Sequence, residues 1–549
     1  ALQKQGKAKE ALEAFRDGVV ARLRPSEPIK DGPKTPKTPE EIADWFAKAE
    51  AQATTGKIAF DNLDNAGRAA PNSYLAPVTW DYGMGFGFWG ESWRTFLKKF
   101  ISEQPADTPA EKVIPARAFA NMMIYVATDD IARPIKDPRD CVGNQQIAMG
   151  AEIIHGAEML PEMRDAPAWR ALGLDRLEHG AVARYILPDG GDLEQSFNYN
   201  NALFASTVNI SKFFDGTEKP AWLERLHEAT NNRRRMFSAL RLASGALPSV
   251  GNGSYGRDMS GRWGSNYPAP DPLFDQINDW MLDGNKKGLP EPAFTSIAFP
   301  YTGYYLMRNG WRPESSSLFF KSSRPGAGHN HPDNNSIDVC AYGKHLLVNR
   351  EAPPYQALCL PEEQRKYYPW FIEYKGEGAP WTTNTLLIDG CGQTSGRYTK
   401  GYKNTIPDNS WYTSDDFDFV QGVVRRQFKS PPALPVDLVR ENAAQFGATP
   451  EEVARQVAEA EKLNATRQVA KFEATHTRQV IYLRPVNAWI VTDWATREDG
   501  KRPSTLTQVW AFPSPRLGKN RGYGEKFGGF SPLHPGFEKE HVAADEKAA

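Results

Sequence analysis

"GYYLMRNGW" (Gly303–Trp311) and "SSLFFKSS" (Ser316–Ser323) are two short runs of aromatic and aliphatic residues. Gly, Asn, Pro and Ser bound them, the punctuation of strands joined by a turn. The same texture recurs in "SIDVCAYGKHLLVN" (336–349), "NTLLIDG" (384–390), "FDFVQGVVRRQF" (417–428), "RQVIYLRPVNAWIVTDWA" (478–495) and "TLTQVWAFP" (505–513). Many short strands separated by turn residues predict an antiparallel β-sandwich or stacked antiparallel sheets. The change sets in near Phe294. One stretch departs from it, about 434–468, where "TPEEVARQVAEAEKL" is helical and Thr449 and Glu452 have the spacing of a capping box.

Working toward the N-terminus, the texture is different. "EKVIPARAFANMMIYVATDD" (111–130), "QQIAMGAEIIHGAEML" (145–160), "APAWRALGLDRLEHGAVARYIL" (166–187) and "PAWLERLHEATNNRRRMFSALRLASG" (220–245) read as helices joined by Pro/Gly/Asn-rich loops. The last has Pro220 near its start and Gly245 near its end. Helix after helix with few strands predicts an all-α toroid or solenoid, an (α/α) barrel, over 1–290. The β-sandwich domain then occupies 291–549 with its helical insert. A cleft is expected at the junction.

The 549 residues are too many for one ordinary domain. With 66 basic and 67 acidic residues the net charge is -1, without the basic footprint of a nucleic-acid binder. No window approaches the ~20 apolar residues of a membrane span. Cys141, Cys340, Cys359 and Cys391 show no CxxC spacing, which argues against a zinc ribbon and against a disulfide-stapled fold. Aromatic content is 11%, enough to line a carbohydrate cleft as well as a core. The chain opens at Ala1 without methionine, as chains do after loss of a leader, so a periplasmic or secreted, bacterial-type location is expected.

Three polar stretches carry the chemistry. "GAGHNHPDNNS" (326–336) holds two of only nine histidines, His329 and His331. In a strand such a pair shares a face and suits a metal; in a loop that geometry is not imposed. "DGGDLEQSFNYNNA" (189–202) joins a loop to a helix and contains Tyr199, Asn200 and Asn201. "CVGNQQIAMG" (141–150) opens a helix with Asn144, Gln145 and Gln146, at the end where unpaired N–H groups favour an anion. Each alone also fits a capped helix or a hydrogen-bonded turn.

Together these stretches resemble the heparinase II/III-like polysaccharide lyases, a superfamily that includes alginate lyases. The resemblance implies an α/α toroid followed by a β-sandwich. Its DGSYxEQSxxYH segment aligns without a gap to "DGGDLEQSFNYN", which puts Tyr199 at the catalytic tyrosine. Its GHGHAD motif aligns to "GHNHPD", which puts His329 at the catalytic histidine. Asn144 then stands at the carboxylate-neutralising position, with Gln145 and Gln146 beside it. Asn200 departs from the His that usually ends the tyrosine motif. Family members with zinc use the second His of GHGHAD, an Asp after "LLV" and a His before "NT". Here those positions hold His331, Asn349 and Thr383, so no zinc and no other required cofactor is expected.

These residue types suit β-elimination from a uronic acid polymer. Amide donors neutralise the substrate carboxylate so that charge growing at C5 is stabilised. A histidine near its ordinary pKa takes the C5 proton, and a tyrosine hydroxyl protonates the departing oxygen. Asn144, His329 and Tyr199 take those roles, although one tyrosine can serve as both base and acid. Gln145, Gln146, Asn200, Asn201, Tyr255, His331, Tyr367, Tyr368 and Trp370 are the candidate substrate contacts. Near-zero charge favours an unsulfated uronan, alginate (mannuronan) or glucuronan, as the anionic partner. Two rivals stand beside this. A toroid glycoside hydrolase needs two carboxylates about 5–9.5 Å apart, with Asp192, Glu194 and Asp333 available. A non-catalytic glycan-binding protein needs only the cleft.

Overall fold

The computed structural model describes residues 5–24, 101–116, 160–197, 216–251, 272–281, 283–326, 330–349, 383–395, 405–430, 449–466 and 469–512, with short stretches near 119, 150–158, 210–214 and 433–440. The chain divides into two compact units, Ala1–Ala183 and Arg184–Ala549.

The described part of the first unit is helical. Helix α1 (Ala8–Leu23) buries Arg16, Val19, Val20 and Leu23, a single stripe at helical spacing. It meets α2 (Ala110–Val113): Arg16 pairs with Glu111, and Phe15 packs edge-on against Phe119 at 5.4 Å. The helix expected from Glu111 onward is interrupted after Val113 and resumes beyond Pro115, where Phe119 N–H donates to Pro115 O at 2.9 Å. Ile114 is extended (φ -140, ψ 110) because the following Pro115 disfavours helical backbone there. Helix α3 (Ala166–Asp175) continues into a π-helical stretch, Arg176–Tyr185.

The second unit begins with two helices, α4 (Ala221–Ala239) and α5 (Pro272–Met281). Helix α4 starts directly after Pro220, as expected, but ends short of Gly245. The Arg308 guanidinium caps its last residue by donating to Ala239 O, and donates also to Arg241 O just beyond, at 3.0 Å. Burial lowers the Arg308 pKa to about 9.

Strands follow. β1 (Ile297–Phe299), β2 (Tyr304–Arg308), β3 (Ser317–Lys321), β4 (Ser336–Ala341) and β5 (Lys344–Leu347) form an antiparallel sheet in chain order. A second antiparallel sheet has the order β11-β10-β9-β7, with β8 also on β9. These are β7 (Gly392–Gln393), β8 (Ser410–Thr413), β9 (Phe417–Lys429), β10 (Lys471–Leu483) and β11 (Ala488–Arg497). β6 (Leu386–Ile388) pairs with β12 (Leu506–Gln508). Helix α6 (Pro450–Thr466) lies between β9 and β10. Its capping box is present: Thr449 N–H donates to Glu452 at 2.9 Å, and Glu452 N–H to Thr449 Oγ1 at 3.3 Å.

The first sheet is covered on both faces. Tyr304, Leu306, Phe319 and Cys340 pack with Met236, Phe237, Ile277, Met281 and Phe197 from the helical side. Tyr305, Met307, Leu318, Phe320, Ile337 and Val339 pack with Val420, Val480 and Tyr482 of the second sheet. This explains why β2, β3 and β4 are buried at every position and read as continuous apolar runs. β9 alternates instead, because only one of its faces is buried. Cys340 and Cys391 are buried and unbridged.

Candidate active site

Tyr185 leads into a tight loop. Ile186 bridges Asp192, and Leu187 N–H donates to Gly191 O at 2.8 Å. Only glycine fits its tip. Gly190 has φ +96, and a Cβ there would lie 2.4 Å from the Arg233 nitrogen; one on Gly191 would lie 1.9 Å from Thr302 Oγ1. Thr302 instead donates to Asp189 from its backbone (2.9 Å) and its hydroxyl (2.6 Å), which fastens the loop to the β1–β2 turn.

Asp192 organises the next turn. Its Oδ1 accepts from the Glu194 and Gln195 amides at 2.9 and 3.1 Å, and its Oδ2 takes the Arg233 guanidinium at 3.0 Å. Both side chains of that pair are fully buried. Burial raises the Asp192 pKa, and Arg233 opposes the rise. Glu194 accepts from the buried Tyr185 hydroxyl at 3.0 Å, whose pKa burial raises well above the phenol range. Phe197, two residues before Tyr199, is pinned in the core against Phe237 (5.0 Å) and Tyr304 (5.7 Å).

The second motif occupies the connection between β3 and β4. Ser323 N–H donates to Asn334 Oδ1 at 2.7 Å and closes its neck. Asn335 has φ +55 and donates to the carbonyls of Gly422 and His476, both at 3.2 Å, which ties the return to the second sheet. Thr385 and Gln393 donate to Asn334 O at 2.9 and 2.7 Å. Inside the loop, buried Lys321 donates to Asn330 Oδ1 at 3.2 Å and pairs with Asp333. Burial lowers the Lys321 pKa, and Asp333 opposes the drop.

The two motifs, distant in sequence, meet here. Gln195 Nε2 donates to Arg324 O at 2.7 Å. Gly326 lies so close that a Cβ would sit 2.4 Å from Leu193 O. The approaches to Tyr199 and to His329 are therefore braced on one another. Gln195 Oε1, Ser196 Oγ, Ser323 Oγ, Asn330 Nδ2 and Asn334 Nδ2 are buried around this junction with no hydrogen-bond partner among the described residues.

Of the sequence candidates, His331 is described and buried, at 8% exposure. Asn144, Gln145, Gln146, Tyr199, Asn200, Asn201, Tyr255, His329, Tyr367, Tyr368 and Trp370 lie outside the described residues. Asn349 and Thr383 are both buried. Asn349 Oδ1 accepts from the Asn384 amide at 3.2 Å, and its Nδ2 faces Asp338 and Ser336 at 3.4 Å. That amide is engaged in cross-linking segments, and a neutral amide and a hydroxyl are poor replacements for carboxylate and imidazole. This donor set does not fit zinc. Among the described residues no group of three His, Cys, Asp or Glu side chains comes together.

Sequence reasoning missed Lys321, Arg233 and Gln195 as builders of the site. Lys321 ends an otherwise apolar strand, where a cation needs a buried partner, and that was the available signal. Arg233 sits in the "NNRRRM" run, which by itself looks like a solvated helix face.

Comparison with known proteins agrees with the motifs. The model for the heparinase II/III N-terminus matches residues 120–229, and that for the heparinase II/III-like C-terminal region matches 291–370. The heparin-sulfate lyase of Pedobacter heparinus is 24% identical over 214 residues, 37% of this chain and 31% of that protein. The heparin-sulfate lyase of Bacteroides stercoris is 22% identical over 236 residues, 41% of this chain and 34% of that protein. The alignments thus span about a third of the length of these relatives. A solved structure of a heparan sulfate lyase mutant from Pedobacter heparinus superposes with TM-score 0.48 at 16% identity, covering 94% of this chain and 78% of that one. Among the described residues no helix is long and apolar enough to cross a membrane.

Proposed function

From the premise that this chain belongs to the heparinase II/III-like superfamily, we propose that it is a polysaccharide lyase that cleaves a uronic acid-containing polymer by β-elimination. The observation that carries this is the bracing of the two motif segments, Leu193–Gln195 on Arg324–Gly326. It supports a single site fed by both Tyr199 and His329. The proposed finer architecture is the α/α toroid followed by the β-sandwich, and the proposed location is periplasmic or secreted.

In the proposed step, Asn144, with Gln145 or Gln146, donates to the substrate carboxylate. This spreads the charge that builds as C5 loses its proton. His329 accepts that proton. The electron pair of the C5–H bond forms the C4–C5 double bond, the C4–O bond breaks, and Tyr199 protonates the departing oxygen. The remaining aromatic and amide candidates, including Tyr255, His331, Tyr367, Tyr368 and Trp370, would hold flanking sugars.

The hydrolase alternative loses support from the site. Asp192 is tied to Arg233, Glu194 to Tyr185 and Asp333 to Lys321, all buried. None of the three carboxylates is disposed as a solvent-accessible acid–base pair.

For the polymer, the net charge of -1 favours an unsulfated uronan such as alginate or glucuronan. The relatives bear the name heparin-sulfate lyase, which makes heparan sulfate the second reading. Incubation with each polymer, followed by the ultraviolet absorbance of the unsaturated uronate, tests both. Tyr199→Phe should lower turnover at least about 10²-fold while the protein stays folded. A folded Tyr199→Phe enzyme with near wild-type turnover would remove the tyrosine from the mechanism. Reducing ends that form without ultraviolet absorbance would replace the lyase by a hydrolase.

A further inference from the structure

We propose that Lys321 is a positioning residue: it sets the turn that follows His329, and through it the geometry of the histidine step. The inference rests on the lyase reading for its consequence in turnover, but not for its structural content.

Lys321 is the last residue of β3, and its register partners are Tyr304 on β2 and Ser336 on β4. Paired positions share a face, so Lys321 points to the side where Phe319 and Tyr304 pack against Phe197. The chain leaves the sheet at Ser322 and returns at Ser336. Within that excursion the lysine reaches Asn330 and Asp333. These are the first and fourth residues after His329, and they bracket His331 and Pro332. One cation therefore grips both ends of the turn.

Burying this ammonium is costly, and an apolar side chain at the end of β3 would be cheaper for stability alone. Lys321 has no measurable exposure, and Asp333 is 2% exposed. What the ion pair adds is direction. A short, charge-assisted contact inside a low-dielectric core permits one arrangement of Asn330 and Asp333, where an apolar contact would permit several. On its other side the turn lies close to Gly326, where an added Cβ would stand 2.9 Å from Asn330 Cβ and 2.4 Å from Leu193 O. It cannot lift away without breaking the lysine pair. His329 directly precedes this turn in the sequence.

The experiment compares the full chain with Lys321→Met/Asp333→Asn and with Asn330→Ala. The double variant removes both charges and strands neither; Lys321→Met alone leaves a buried carboxylate and risks unfolding. The double variant should melt within a few degrees of wild type. Its kcat on the best uronan should fall about tenfold or more, with KM changed less than about threefold. Backbone amide exchange over 330–336 should quicken about tenfold, while 304–321 stays protected. Asn330→Ala keeps the ion pair and should show the same two changes at smaller amplitude. A folded double variant with wild-type kcat and wild-type exchange at 330–336 overturns the proposal, as does Asn330→Ala unchanged in both. If the wild-type chain eliminates no uronan, the lyase reading fails by itself. The exchange data then still decide whether Lys321 sets the turn.

Discussion

Replacing Gly326 by alanine adds one methyl group at the point where the two motif segments touch. The new Cβ would stand 2.4 Å from Leu193 O and 2.9 Å from Asn330 Cβ. Ordinary contact needs about 3.4 Å or more, so one side must retreat by about 1 Å. Neither has an easy path. Leu193 is held by its N–H bond to Tyr185 O at 3.2 Å and by the Asp192 turn beside it. Asn330 is held by Lys321. Overpacking of this kind costs about 1–3 kcal/mol. A displacement near 1 Å between catalytic groups can cost about 10²-fold in rate. The expectation is thus a modest fall in melting temperature with a disproportionate fall in kcat. Thermal melts and initial rates of unsaturated product formation measure the two. Gly18→Ala is the control: it lies exposed in α1 with no atom within 4 Å of a Cβ, and should be neutral or slightly stabilising. A Gly326→Ala enzyme with wild-type rate and melt would refute the bracing of the two segments.

Arg233→Met leaves Asp192 buried without its cation, and should cost about 3–5 kcal/mol in urea unfolding; a loss under about 1 kcal/mol would show that the pair is not structural. His345, buried with its Nε2 2.9 Å from Ser244 Oγ, has its pKa pushed down by burial to about 4. The unfolded chain therefore binds more protons between about pH 4 and 6.5, so stability is full above 6.5 and declines as pH falls through that window. The decline from His345 should reach about 3 kcal/mol at most. His476, also lowered mainly by burial, adds to the slope, so His345→Gln should flatten urea-derived stability against pH only in part. Elemental analysis should find well under one zinc per chain and turnover indifferent to chelator; stoichiometric zinc that restores chelated activity would reverse the reading of Asn349 and Thr383.

The sequence alone determined the order of element types, because hydrophobic period and turn residues are local properties of the chain. It marked the capping box of α6, since Thr449 and Glu452 need only their own backbone. It also placed the motif residues at their positions along the chain. It did not show where α4 would end, because that depends on Arg308 arriving from β2 to take the carbonyl of Ala239, the helix's last residue. Nor did it show that "NNRRRM" hides a fully buried arginine: Arg233 is buried only because Asp192 is folded back onto the helix to receive it. The bracing of Gln195 on Arg324 joins residues 129 apart in sequence. Lys321 shows the same limit from the other side. A lysine ending an apolar strand signals that a buried partner is needed, but only the returning loop identifies that partner, by folding Asn330 and Asp333 onto its ammonium. Long-range contacts of this kind carry no local period, and so only the tertiary structure decides them.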